Sequence, residues 1–152
     1  TSNVTNMSSM FYGTKNFNQM IGYWDTSQVK DMSSMFNATK QFNQAINGWD
    51  TSQVTNMNSM FYRAKKFNQD ISHWNTSHVI DMTSMFARTE SFNQNINQWN
   101  TNQVSYMREM FYCAKVFNQE VDNWDTNNVI DMTDIFWGAK NFNKHSNNTA
   151  SQ

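Results

Sequence analysis

Eleven methionines, five tryptophans and six threonines recur at fixed spacing along this 152-residue chain, and each set could do chemistry. Stacked thioethers are soft ligands suited to Cu(I), but Met57, Met60, Phe61 and Ala64 follow the i, i+3, i+4, i+7 spacing of a core stripe. The tryptophans could form a sugar-stacking platform. Each follows an Ile or Val three residues earlier, which places it in a core-facing segment. A flat threonine row, Thr26, Thr51, Thr76, Thr101 and Thr126, is the kind of surface that binds ice, and equally a turn device. Asp25 and Asp50 supply too few oxygens for calcium, which takes six or more. His73, His78 and His145 have no paired nucleophile. Cys113 shares a column with Gly13, Ala38, Arg63, Arg88 and Gly138, whose variety reads as an exposed position. The chain is therefore expected to be a non-enzyme with no cofactor and no metal.

Those spacings share one cause. Residues 26–50 read TSQVKDMSSMFNATKQFNQAINGWD and residues 51–75 read TSQVTNMNSMFYRAKKFNQDISHWN. The period is 25 residues without insertion or deletion, and all twelve phenylalanines fall in two columns. A strict period of this length implies units that bury their apolar faces against one another. The register runs over 1–144, leaving 145–152 as a non-repeat tail.

Each unit reads as a short helix plus a short extended segment. The helix rests on the apolar stripe and on the column Asn6, Asp31, Asn56, Asp81, Tyr106, Asp131, of which five are good N-cap residues. Lysines such as Lys15, Lys40 and Lys65 stand at the far end, where cations suit the helix dipole. Consecutive lysines also fit helices on a widely spaced outer face. The expected fold is an α/β solenoid of six coils, with parallel strands on one face and helices on the other; the alternative is a β-helix. Asn18 and its equivalents are expected to form a hydrogen-bonded ladder. With no proline, four glycines and 24 asparagines, the turns are expected to use Asn in left-handed conformations.

The recurring signatures M-x-x-M-F, F-N-Q and W-[DN]-T resemble the 25/26-residue repeat of bacterial surface proteins and lipoproteins. That family is a mycoplasma-type domain of unknown function related to BspA-like leucine-rich repeats. The resemblance implies a right-handed, leucine-rich-repeat-like solenoid exported to the cell surface, and carries over no catalytic motif. Tyr106 at the cap column and Glu90 among the lysines depart from the pattern.

The net charge of −1 gives no overall footprint for nucleic acid, and no apolar run has the length of a membrane span. Ligand choice in a repeat array lives where the units differ. Here those places are Met20, Asp70, Asn95 and Glu120, with Tyr23, His73 and Gln98. A second varied column holds Tyr12, Tyr62, Tyr112 and Trp137. The expected function is a non-catalytic binding, adhesion or structural module of a cell-surface or secreted protein, facing a protein or a glycan. The alternatives are ice binding through the threonine column and a self-assembling filament subunit, since matching first and last units could stack end to end.

Overall fold

The computed structural model describes residues 2–142. His145 and the expected tail lie outside them. Taking unit 1 as residues 1–25, a residue's position is its number there, so Phe61 occupies position 11 of unit 3.

Backbone donors in the Met-Phe segment alternate between two destinations. In unit 3 the amides of Met57, Ser59, Phe61 and Arg63 donate to the carbonyls of Asp81, Thr83, Met85 and Ala87 in unit 4, at 2.8–3.0 Å. Those of Met60, Tyr62 and Ala64 donate three residues back, to Met57, Ser59 and Phe61. Half of the donors thus leave the unit. In return, Thr55 donates to Lys30 of unit 2 at 2.9 Å and Lys65 to Thr39 at 3.0 Å.

This backbone overturns the α/β solenoid with helices. Among the described residues there is no helix, and pairing is confined to isolated parallel bridges, from Asn6↔Asp31 to Tyr106↔Asp131. Strands long enough for a β-helix face are absent from them as well. The segment read as helical is a run of tight turns. Ser59 and Arg63 have φ of 57° and 58°, and positions 9 and 13 repeat this left-handed conformation in other units. Single left-handed residues reverse the chain's curl, which no α-helix survives.

The misreading has a physical source. Successive three-residue turns bring positions 7, 10, 11 and 14 to one side, imitating the helical stripe. The cap column forms the bond expected of it, with Asp31 Oδ1 accepting from the Ser33 amide at 2.8 Å and Asp81 Oδ1 from Thr83 at 2.8 Å. That bond serves an Asx turn as well as an N-cap. Among the described residues the left-handed ones are Ser, Ala, Arg, Glu, Cys, Asp and Gly, and none is the Asn expected.

The core is built from ladders of identical side chains. Val54, Met57, Met60, Phe61, Phe67 and Ile71 are fully buried, and Trp74 nearly so. Phe61 stacks on Phe67 of its own unit at 4.1 Å, and on Phe36 and Phe86 of its neighbours at 5.6 and 5.5 Å. Trp49, Trp74 and Trp99 stack at 6.4 Å, with each indole N–H donating to an isoleucine carbonyl 28 residues earlier. Tryptophan can be interior here because its one polar atom is satisfied.

Three outcomes test this fold. Far-UV circular dichroism should lack the double minimum of α-helix. Phe67→Ala should cost roughly 3–5 kcal/mol in urea unfolding, because it cuts a ladder with neighbours on both sides. Ala38, with φ of 62°, should give opposite signs on substitution. Ala38→Gly should stabilise by about 0.5 kcal/mol and Ala38→Val destabilise by more than about 1 kcal/mol.

Candidate functional site

Because each unit is locked to the next, residues at one position form a row along the stack. The row at positions 20 and 23 is exposed throughout units 1 to 5: Met20, Asp70, Asn95, Glu120, Tyr23, His73 and Gln98 all face solvent. Met20 and Tyr23 are 74% and 81% exposed, the most open large apolar side chains among the described residues. A rigid backbone carries this row. Asp70 Oδ1 accepts from the Ser72 amide and Asn95 Oδ1 from Asn97, both at 2.9 Å. Asn97 then links units 4 and 5, donating to Asp122 Oδ1 at 3.1 Å and accepting from the Asn123 amide at 3.0 Å.

The second row is uneven. Tyr12 and Trp137 are exposed, while Tyr62 and Tyr112 are half-buried. Tyr112 and Trp137 stack at 5.1 Å, whereas Ala87 between the two tyrosines is buried. Guanidinium groups lie over these rings, Arg63 over Tyr62 at 5.6 Å and Arg88 over Tyr112 at 5.2 Å. The arginine column, whose variety predicts exposure, is exposed at Gly13, Arg63 and Arg88 and half-buried at Ala38 and Cys113. Its members share a left-handed backbone, and glycine at both Gly13 and Gly138 was the available signal.

The threonine row is inside. Thr26, Thr51, Thr76 and Thr101 are each 1% exposed. Their hydroxyls donate to the carbonyl that ends the same unit, 24 residues on, such as Thr51 to Asn75 and Thr76 to Asn100, at 2.8–2.9 Å. Thr126, in the last unit, is half-buried. Ice binding needs an exposed row, and this one closes the backbone instead. The asparagine ladder forms as expected: the amides of Asn43, Asn68, Asn93 and Asn118 donate to the side-chain oxygens of Asn18, Asn43, Asn68 and Asn93. Gln69 and Gln94 donate across the same steps. His78 Nδ1 lies 2.9 Å from the Ser52 carbonyl.

Turn bonds set the acid behaviour of several carboxylates. Asp50 and Asp70 are held below the usual carboxylate range, first by the hydroxyls of Ser52 and Ser72, then by the same residues' amides. Asp25 is lowered likewise by Ser27, and Asp131 by the amide and hydroxyl of Thr133. A lowered folded-state pKa contributes stability above the ordinary carboxylate pKa of about 4, and this is lost as pH falls through the folded value. Thermal stability should therefore drop on acidification below about pH 4. Asp50→Asn and Asp70→Asn together should flatten that drop, because Asn75 and Asn95 make the equivalent turns without titrating.

No curated protein and no solved structure shows a significant similarity to the chain. A family model described as a Mycoplasma protein of unknown function, DUF285, matches residues 1–86 and again 45–149, overlapping as a repeat array must. With its 25-residue units matched along nearly its whole length, the chain belongs to that family.

Proposed function

We propose that this chain is a non-catalytic binding module, displayed on a cell surface or secreted, that engages a protein or glycan through positions 20, 22 and 23. One observation carries the reading: the buried Val, Met, Phe, Trp and Thr columns repeat nearly one residue each, whereas the row at 20 and 23 is exposed and differs in each of units 1 to 5. An interior of ladders demands sameness, because a ring or amide must find its twin one step away. An exposed row meets no such demand, and Met20, Tyr23, Asp70, His73, Gln98 and Glu120 present apolar, aromatic, acidic and amide groups on a backbone fixed by Asx turns. Aromatic groups on a fixed frame make good anchors because little entropy is lost when they bind.

The test compares the parent with a variant in which Met20, Tyr23, His73 and Gln98 are all changed to Asn. Both are applied to a printed array of glycans and extracellular-matrix proteins. Specific retention of the parent and at least tenfold weaker retention of the variant, at unchanged melting temperature, is the expected result. Equal retention would move the binding function off this row.

A further inference from the structure

We propose that the edge formed by positions 13 to 16 of successive units binds a linear acidic polysaccharide bearing one carboxylate on each sugar. The net charge of −1 conceals a strong separation of charge. Of the eleven basic residues, eight fall at these four positions, among them Lys15, Lys40, Arg63, Lys65, Lys66 and Arg88; of the twelve acidic residues only Glu90 does. The other basic members, Lys115 and Lys140, continue the row beyond Glu90.

The structure brings these residues into line. Lys40 donates its amide to Thr14 at 3.3 Å, Lys65 to Thr39 at 3.0 Å and Lys115 to Thr89 at 2.9 Å. Arg63 and Arg88 donate theirs to Ala87 and Tyr112 at 3.0 and 2.7 Å. Position 15 of one unit therefore lies beside position 15 of the next, at the parallel-bridge spacing of ~4.8 Å. This corrects the wide spacing expected for the lysines, since no helices hold them apart. Among the described residues the one salt bridge joins Arg108 to Asp131 at 4.0 Å, away from this edge. Glu90 is the one carboxylate at these positions against eight cations, so the row keeps a net positive charge that an external polyanion would balance.

The two arginines narrow the chemistry. Their guanidinium groups are held over Tyr62 and Tyr112, and Tyr112 is backed by Trp137. A planar fork fixed in this way suits bidentate recognition of a carboxylate. Single-stranded nucleic acid would want open aromatic faces for its bases, but Tyr112 is already engaged by Arg88 from the unit before and Trp137 from the unit after. A polyuronate carries a carboxylate on every sugar of an extended chain, so one chain lying along the row meets several of its cations at once.

This edge is separated in sequence from positions 20 to 23 by the buried phenylalanine column and the asparagine ladder, so the two readings stand or fall separately. The experiment uses oligogalacturonate of about the array's length, titrated calorimetrically into the chain at low ionic strength; the match of length to row follows from the ~4.8 Å step. The comparison variant is Arg63→Asn, Arg88→Asn and Lys65→Gln, with Asn chosen because it tolerates the left-handed backbone. Binding by the parent that weakens with added salt, at least tenfold weaker binding by the triple variant, and an unchanged melting temperature would support the proposal. The variant altered at Met20, Tyr23, His73 and Gln98 should bind oligogalacturonate as the parent does. The proposal is overturned if the parent does not bind, or if the triple variant binds equally well. It is also overturned if oligothymidylate or phosphatidylserine vesicles bind more tightly than oligogalacturonate.

Discussion

Alternate amides of the Met-Phe segment donate to carbonyls 24 residues ahead, and the rest of the structure depends on that arrangement. With half of its donors sent outward, no unit can satisfy its own backbone, so each exists only against its neighbours. The bond also fixes the count. One inserted residue would alter the separation of every donor and acceptor pair that spans it and, in the same step, misalign the Phe, Trp, Asn and Thr ladders across that junction. A unit length of 25 follows from hydrogen-bond register as much as from packing.

The same constraint explains why polar residues can be so numerous inside a small cross-section. A stack with no helix and only isolated bridges has few ladder bonds of the usual kind, and its turns leave donors and acceptors over. Side chains close them. Thr76 caps the carbonyl of Asn100 at the end of its own unit, Asn68 accepts an amide from the next unit, and Trp74 reaches back to Ile46. Each such bond runs between residues whose separation is set by the period, and is therefore available in nearly every unit. Leaving one of these buried groups unpaired would cost about 1–3 kcal/mol, several times over. Threonine and asparagine recur here as strictly as phenylalanine does.

What the sequence made legible was column membership. The burial of the Val, Met, Phe, Ile and Trp columns and the asparagine ladder follow from repetition and polarity alone. Backbone conformation did not follow, because the helix signals were ambiguous at the level of the bond. A carboxylate accepting an amide two residues on is both cap and Asx turn, and an i, i+3, i+4, i+7 stripe arises from stacked turns as well as from a helix. Two features pointed the other way. Position 9 is Ser in four units, and position 13 is Gly in two, both poor choices for the middle of a short helix. The charged edge was hidden for another reason. Net charge sums over the chain, whereas a stack sums by column, and the two sums disagree here.

That disagreement bears on how such a chain acquires function. Interior columns are coupled, since a changed ring at one unit disturbs the units on both sides. Exterior columns are coupled only through charge and direct stacking, so they can vary unit by unit at little cost in stability. The chain shows both uses of this freedom. Positions 20 and 23 differ in each of the first five units, while positions 13 to 16 keep one sign of charge over several units despite a spacing at which like charges repel. Lys15, Lys40 and Lys65 could each be exchanged for a neutral residue without touching the core. Repulsion at that spacing is about 1 kcal/mol per pair in water, and no buried ladder requires the lysines to be there. Sameness in the interior is explained by packing. Sameness on this exposed edge is not, and a partner that carries the opposite charge at the same spacing would account for it.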